Sequence, residues 1–148
     1  MSAETGTTWS SCPRAAWSSR SATWSATDWS AGLLTYSSAG HLPPALARAD
    51  GTVAFLDKAT DPPLATRPEH QAQAEAQHEF GPGDTLVLYT DGLVERRREV
   101  IDAGLGRLAD SLSAHRTRRP EDLADVLLRG LLPEAEASDD TALIVVRL

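Results

Sequence analysis

The sequence predicts an α+β fold in which several strands come first, two helices follow, and one strand closes the chain. Short apolar runs bounded by turn residues occupy residues 32–90, apolar residues at helical spacing occupy 101–131, and residues 141–148 read TALIVVRL. Strands and helices grouped in this way favour a mixed layer fold over alternating βαβ units. The chain has 148 residues, a length that suits one domain with a single core.

The strands are predicted from turn signals beside apolar runs. GLLTYSS, residues 32–38, is ended by Gly40, and TVAFL, residues 52–56, follows the turn ADG. TLVLYT, residues 85–90, follows the turn GPGD, whereas the polar, proline-containing segment 57–79 is predicted to be mostly loop. The closing strand is apolar enough to be buried on most sides.

Two helices are predicted from apolar residues that recur every three or four positions. The face of the first comprises Ile101, Leu105, Leu108 and Leu112. The second begins at Pro120, a residue suited to the first helical position, and ends before Pro133. Its apolar face comprises Leu123, Val126, Leu127 and Leu131.

Residues 1–31 differ in composition from the folded domain predicted over 32–148. This segment is rich in Ser and Thr, has no sustained apolar period, and contains the cysteine Cys12 together with every tryptophan, namely Trp9, Trp17, Trp24 and Trp29. We predict that it is poorly ordered. One hypothesis is that it results from a shifted reading frame or a misplaced start codon.

Composition argues against several classes of function. The net charge of −7 does not favour nucleic-acid binding, and the short cluster 96–98 is interpreted as a solvated face. A single cysteine excludes an internal disulfide and fits a reducing compartment. No apolar run is long enough for a membrane span and no secretory signal is visible, so we expect a cytoplasmic protein without a membrane partner.

Aspartates stand at the ends of two predicted strands. Asp91 ends TLVLYT, while Asp139 and Asp140 directly precede the closing strand. If these strands are antiparallel neighbours, the carboxylates converge at one end of the sheet, where a hard cation such as Mg²⁺ or Mn²⁺ would relieve their repulsion. Gly92 would allow a tight turn after Asp91. Turn chemistry also explains each aspartate separately, so spacing alone leaves both interpretations open.

Three segments resemble a known family in their order and approximate spacing. They are YSSAGHLPPAL (36–46), GDTLVLYTDGLVE (83–95) and SDDTALIVVRL (138–148). Together they resemble the SpoIIE-like branch of the PPM-type metal-dependent serine/threonine protein phosphatases, over residues 32–148 and in the C-terminal half of that domain. DPPLATRP (61–68) is similar to the family's Pro-Leu-Gly loop, with Ala65 where glycine is usual.

The resemblance implies a fold, a site and a reaction. The fold is part of an α/β/β/α sandwich with antiparallel sheets. Asp91 and Asp139 correspond to metal ligands, with Gly92 and Asp140 in supporting positions, and no side chain is implied as a nucleophile. The family uses two Mn²⁺ or Mg²⁺ ions to activate water against a phosphomonoester. The implied substrate is a phosphoserine or phosphothreonine protein, for example a regulator in a sigma-factor pathway.

The sequence departs from the family in its first segment. The two earlier Gly-Asp motifs, whose aspartates hold the first metal and bridge both ions, do not occur in residues 1–31. We therefore expect an incomplete two-metal site and one exposed sheet face. Two interpretations stay open. The chain is either a truncated phosphatase, whose activity the sequence does not decide, or a non-catalytic regulatory or interaction module on the same half-fold.

Overall fold

The computed structural model describes residues 32–63, 74–132 and 140–148. The predictions for residues 1–31, for most of the Pro-Leu-Gly-like loop and for Asp139 lie outside these ranges. The described strands are β1 Gly32–Tyr36, β2 Ser38–Ala39, β3 Ala45–Ala47, β4 Val53–Phe55, β5 Thr60–Asp61, β6 Ala76–Phe80, β7 Thr85–Tyr89 and β8 Leu143–Arg147. The helices are α1 Ile101–His115 and α2 Pro120–Leu131, and a 3-10 helix spans Asp91–Leu93.

The main sheet is antiparallel and has the strand order β4-β3-β7-β8. One of its faces packs against α1 and α2, and the alternate residues of β7 that point to this face are therefore buried. The shared core contains Val87 and Tyr89 from the sheet together with Leu108, Leu112, Leu123 and Leu127 from the helices. Pro120 occupies the predicted first turn of α2, and Leu123, Leu127 and Leu131 form its buried face.

A second sheet covers part of the opposite face. It pairs β1 with β6 in antiparallel register, with Gly32 opposite Phe80. Its Leu34 joins the buried Leu46 of β3 and Leu56, and Phe80 and Leu86 pack around them. The described layers are therefore helix, sheet and sheet, which confirms the predicted α+β class with antiparallel sheets. A short parallel pair, β2 with β5, lies beside them.

The prediction that residues 57–79 are mostly loop is wrong at its C-terminal end, because β6 begins at Ala76. AQHEF alternates between half-buried and exposed positions, but its polar composition hides this period. Pairing with β1 over five residues determines the strand, and the sequence of β6 alone cannot reveal this long-range contact.

The prediction that the closing strand is buried on most sides is also wrong. Ile144 and Val146 are 49% and 37% exposed. Within the described residues β8 is an edge strand, and the second sheet packs over Leu46 and Leu86 on the neighbouring strands. This exposed apolar strip agrees with the expected exposed sheet face. No helix of the described residues combines the length and the apolarity that a membrane crossing needs.

Candidate metal centre

Antiparallel pairing of β7 and β8 brings the two aspartate segments to one end of the main sheet. The last strand pair is Tyr89 with Leu143. Beyond it, the Thr90 amide donates to the Ala142 carbonyl oxygen at 3.1 Å, and the Ala142 amide donates to Thr90 Oγ1 at 2.9 Å. Thr90 Oγ1 donates in turn to the Asp140 carbonyl oxygen at 3.1 Å. The predicted convergence of the strand ends is confirmed for Asp91 and Asp140.

Asp91 is the first residue of the 3-10 helix and is exposed to solvent. Its carbonyl oxygen accepts from the amides of Val94 at 2.9 Å and Glu95 at 2.8 Å. Its carboxylate Oδ1 accepts from the Gly92 amide at 3.0 Å, and none of the described residues donates to Oδ2. Leu93 anchors the turn, since it is only 2% exposed. The Asp91 carboxylate is thus held at the surface with one oxygen available to a ligand.

Gly92 supports Asp91 through its backbone amide. The glycines with positive φ among the described residues are Gly40, Gly51 and Gly83. Gly92 instead lies within the 3-10 helix, a conformation open to other residues. The hydrogen bond to Asp91 therefore does not require glycine at this position.

The two predicted aspartates of the closing segment differ in what the structure describes. Asp139 lies outside the described ranges, so its assignment as a metal ligand stays a prediction. Asp140 is exposed, and its backbone carbonyl oxygen is tied to Thr90. Its observed contribution is therefore to fix the chain immediately beside Asp139.

The AGHLPP segment reaches the same end of the sheet through Tyr89. The Tyr89 hydroxyl donates to the Pro43 carbonyl oxygen at 2.9 Å. Burial raises the pKa of the Tyr89 phenol, so the hydroxyl keeps the proton that it donates. Sequence reasoning missed Tyr89 and Thr90 as connectors, although both stand directly before Asp91. Their position at the end of an apolar strand was the available signal.

A tight turn shapes the AGHLPP segment. Gly40 has φ of 76°, and its amide donates to the Asp61 carbonyl oxygen at 2.8 Å. A Cβ on Gly40 would lie 2.5 Å from Cγ of Pro63, so this close approach requires glycine. Ser38 Oγ donates to the His41 carbonyl oxygen at 3.0 Å.

The described residues supply one candidate metal ligand and do not form a metal site by themselves. No group of three or more His, Cys, Asp or Glu in the described ranges is arranged to hold an ion. Asp91 provides an exposed carboxylate with a free oxygen, which suits a hard divalent cation that keeps several waters. Asp139, one residue before Asp140, is the second predicted ligand. The described residues do not assemble a two-metal site.

The layered fold is that of PP2C-type (PPM) phosphatase domains. The chain aligns with the RsbU and RsbW domains of Rv1364c from Mycobacterium tuberculosis with a TM-score of 0.68 and 28% identity, covering 79% of this chain and 33% of that one. It aligns with the PP2C phosphatase domain and regulatory fragment of SpoIIE from Bacillus subtilis with a TM-score of 0.65 and 21% identity, covering 78% and 34%. For a manganese-presoaked phosphatase domain of the same protein the TM-score is 0.58 at 20% identity, covering 80% and 50%.

A family model that matches most of the chain identifies its family. The family model for Stage II sporulation protein E (SpoIIE) matches residues 16–148. The chain therefore belongs to the SpoIIE family, which confirms the resemblance carried by its three motif segments. It spans between a third and a half of the solved chains that it matches.

Proposed function

We propose that this chain is a metal-dependent phosphoserine/phosphothreonine protein phosphatase module of the SpoIIE type. The convergence of the three motif segments at one end of the main sheet carries the proposal. Tyr89 joins that end to Pro43 of AGHLPP, and Thr90 joins it to Asp140 of the closing segment. Asp91 lies beside both contacts and presents an exposed carboxylate.

In this proposal Asp91 and Asp139 hold Mn²⁺ or Mg²⁺, while Gly92 and Asp140 support them. A divalent ion bound there would supply a Lewis acid for a water molecule and for the phosphoryl oxygens. The protein's part is to fix the ligands. The Gly92 amide orients the Asp91 carboxylate, and Thr90 keeps the two strand ends in register. No side chain of the chain is assigned as a covalent nucleophile.

The proposed substrate is a phosphoprotein of a sigma-factor regulatory pathway. The motif resemblance implies such substrates, and one of the matched structures joins an RsbU domain to an RsbW domain. Asp91 is exposed, so a phosphorylated residue on another chain can approach it from solvent.

Metal binding and phosphate release test the proposal on the purified chain. Titration with MnCl₂ in a calorimeter should show binding, and p-nitrophenyl phosphate should be hydrolysed in the presence of Mn²⁺. Asp91→Asn should weaken Mn²⁺ binding by at least about tenfold, since loss of a supporting group alone costs metal sites about that much. Asp110→Asn is the matched control, because Asp110 is an exposed aspartate of α1.

The alternative is a non-catalytic regulatory or interaction module on the same fold. It is favoured by the lack of a three-ligand cluster in the described residues. Absence of Mn²⁺-dependent phosphate release, with equal Mn²⁺ binding by the wild type and Asp91→Asn, would support this alternative and contradict the phosphatase.

A further inference from the structure

A β-turn over residues 96–99 follows the 3-10 helix that carries Asp91. The Glu99 amide donates to the Arg96 carbonyl oxygen at 3.2 Å, which places Arg97 and Arg98 at the two corners of the turn. Arg98 has φ of 72° and is the one non-glycine residue with positive φ in the described ranges. Positive φ at this corner ordinarily selects glycine or asparagine. A costly backbone conformation at an arginine raises the question of what its side chain does.

Both ends of this turn are fixed to the helices. Nη2 of Arg96 donates to the Leu131 carbonyl oxygen of α2 at 3.3 Å. Glu99 forms an ion pair with Arg107 of α1, whose Nη2 also donates to the Val94 carbonyl oxygen at 3.3 Å. The turn is therefore anchored before and after its corners.

The corner arginines are exposed, and no described residue pairs with either side chain. Most of the other described arginines form ion pairs or hydrogen bonds with their side chains. Those in ion pairs are Arg48, Arg107, Arg119 and Arg129, and those bonded to carbonyl oxygens include Arg96, Arg116 and Arg147. The part of the chain that the structure describes therefore presents Arg97 and Arg98 together on an anchored turn, neither of them in an ion pair.

The turn lies within reach of a segment bound at Asp91. Arg97 follows Asp91 by six positions, so their Cα atoms are at most about 21 Å apart. An extended peptide rises about 3.3 Å per residue. Side chains within about six positions of a residue held at Asp91 can therefore reach the corner arginines.

The two corner arginines are the groups here that could pair with an acidic partner, and the exposed carboxylates nearest to them in the chain are Glu95, Glu99 and Asp102. The whole chain carries a net charge of −7, which repels a phosphorylated acidic protein at long range. Local cations beside a site offset such repulsion and orient the approaching chain. Val100, directly after the turn, is 71% exposed and adds an apolar contact surface.

We propose that Arg97, Arg98 and Val100 form a docking surface for acidic residues that flank the phosphorylated residue of a protein substrate. The assignment of a substrate rests on the proposed phosphatase function, whereas the binding of acidic peptides can be measured without turnover. In the cluster 96–98, Arg96 therefore has a structural role, and Arg97 and Arg98 recognise the partner.

Peptide binding in EDTA tests the docking surface apart from catalysis. Two fluorescent peptides share a central serine, and its neighbours are Asp and Glu in one peptide and Asn and Gln in the other. By anisotropy at low ionic strength, the wild-type chain should prefer the acidic peptide. The double variant Arg97→Gln/Arg98→Gln should lose about two- to thirtyfold in affinity, because each exposed charge pair contributes modestly. Salt at about 1 M should abolish the preference.

Arg118 provides the matched control. It is also an exposed arginine without a side-chain partner among the described residues, and its carbonyl oxygen contacts Arg147. Arg147 pairs with Thr85, at the end of the main sheet opposite to Asp91. Arg118→Gln should therefore leave the peptide preference unchanged.

A backbone control separates charge from conformation. Arg98→Lys should retain the preference, and Arg98→Gly should lower it while raising the melting temperature, because glycine accepts φ of 72° without a Cβ clash.

Three results would overturn the docking surface: equal wild-type binding of both peptides, an equal loss in Arg118→Gln, or tighter binding of an RNA oligonucleotide of the same net charge. Hydrolysis of p-nitrophenyl phosphate, which has no flanking residues, tests the phosphatase separately. A chain that fails this assay but prefers the acidic peptide loses the proposed function and keeps the docking surface.

Discussion

Thr90 and Ala142 exchange two hydrogen bonds across the ends of β7 and β8. The Thr90 amide donates to the Ala142 carbonyl oxygen, and the Ala142 amide donates to the Thr90 hydroxyl. The same hydroxyl also contacts the Asp140 carbonyl oxygen. One threonine side chain therefore fixes the closing aspartate segment beside Asp91.

Replacing this hydroxyl should loosen the site. Thr90→Val keeps the shape of the side chain but leaves the Ala142 amide without its acceptor. We expect a loss of about 0.5–1.5 kcal/mol in the free energy of unfolding, since water can replace the hydroxyl at the exposed Ala142 amide. We also expect weaker Mn²⁺ binding, and urea unfolding and calorimetry measure the two effects. Thr90→Ser retains the hydroxyl and should keep both properties near wild type. Unchanged Mn²⁺ binding by Thr90→Val would show that this contact does not position the ligands.

The hydroxyl of Tyr89 should make stability depend on pH in the alkaline range. Burial raises the pKa of this phenol in the folded state, whereas the unfolded value is about 10. The folded chain therefore keeps a proton that the unfolded chain loses. This contribution to stability is complete below about pH 10 and decreases above it, by up to about 1.4 kcal/mol per pH unit.

Tyr89→Phe isolates this effect. The variant should lose about 1 kcal/mol at neutral pH, because the Pro43 carbonyl oxygen loses its donor. Above about pH 10 its free energy of unfolding should decrease less steeply than that of the wild type. Urea unfolding at several pH values measures both slopes, and parallel slopes would contradict the role given to the Tyr89 proton.

Local patterns in the sequence predicted the parts of the fold that local physics determines. The apolar spacing located both helices, and Pro120 located the start of α2. The order of Asp91 and Asp140 around two apolar strands predicted their common sheet end, because antiparallel pairing requires it. Strand β6 was missed, since its polar residues form a strand only by pairing with β1.

The supporting contacts of the site could not be predicted in the same way. Tyr89 meets Pro43 across 46 positions, and nothing local in either segment specifies that partner. Arg98, with its positive φ, lies between Arg96 and Glu99, whose side chains contact separate helices. Such contacts are consequences of the assembled layers, so the sequence could indicate Asp91 as a candidate ligand but not the contacts that hold it in place.

Two glycines of α1 should respond in opposite directions to the same substitution. A Cβ on Gly104 would overlap the Val94 carbonyl oxygen, whereas a Cβ on Gly106 meets nothing within 4 Å. Gly106→Ala should stabilise the chain by up to about 1 kcal/mol, because alanine favours the helix. Gly104→Ala should destabilise it by about 1–3 kcal/mol, since overpacking outweighs the helix preference.

Urea unfolding of both variants measures this contrast. Val94 follows Asp91 by three residues, and its amide donates to the Asp91 carbonyl oxygen. A displaced Val94 should therefore also weaken Mn²⁺ binding in Gly104→Ala and not in Gly106→Ala. Stabilisation by both substitutions would show that Val94 can move away from α1 without a loss in the free energy of unfolding.

The exposed strip of β8 should promote association between chains. Ile144 and Val146 share one face of an edge strand and are 49% and 37% exposed, and unpaired apolar edges favour pairing with another strand. Ile144→Thr/Val146→Thr should reduce concentration-dependent association, measured by sedimentation velocity. Its free energy of unfolding should change by no more than about 0.5 kcal/mol per site, as is usual for surface positions. Val145→Thr is the matched control, because Val145 packs against the helix-side core, and it should lower stability without reducing association. Equal association of the wild type and the double variant would contradict an adhesive role for this strip.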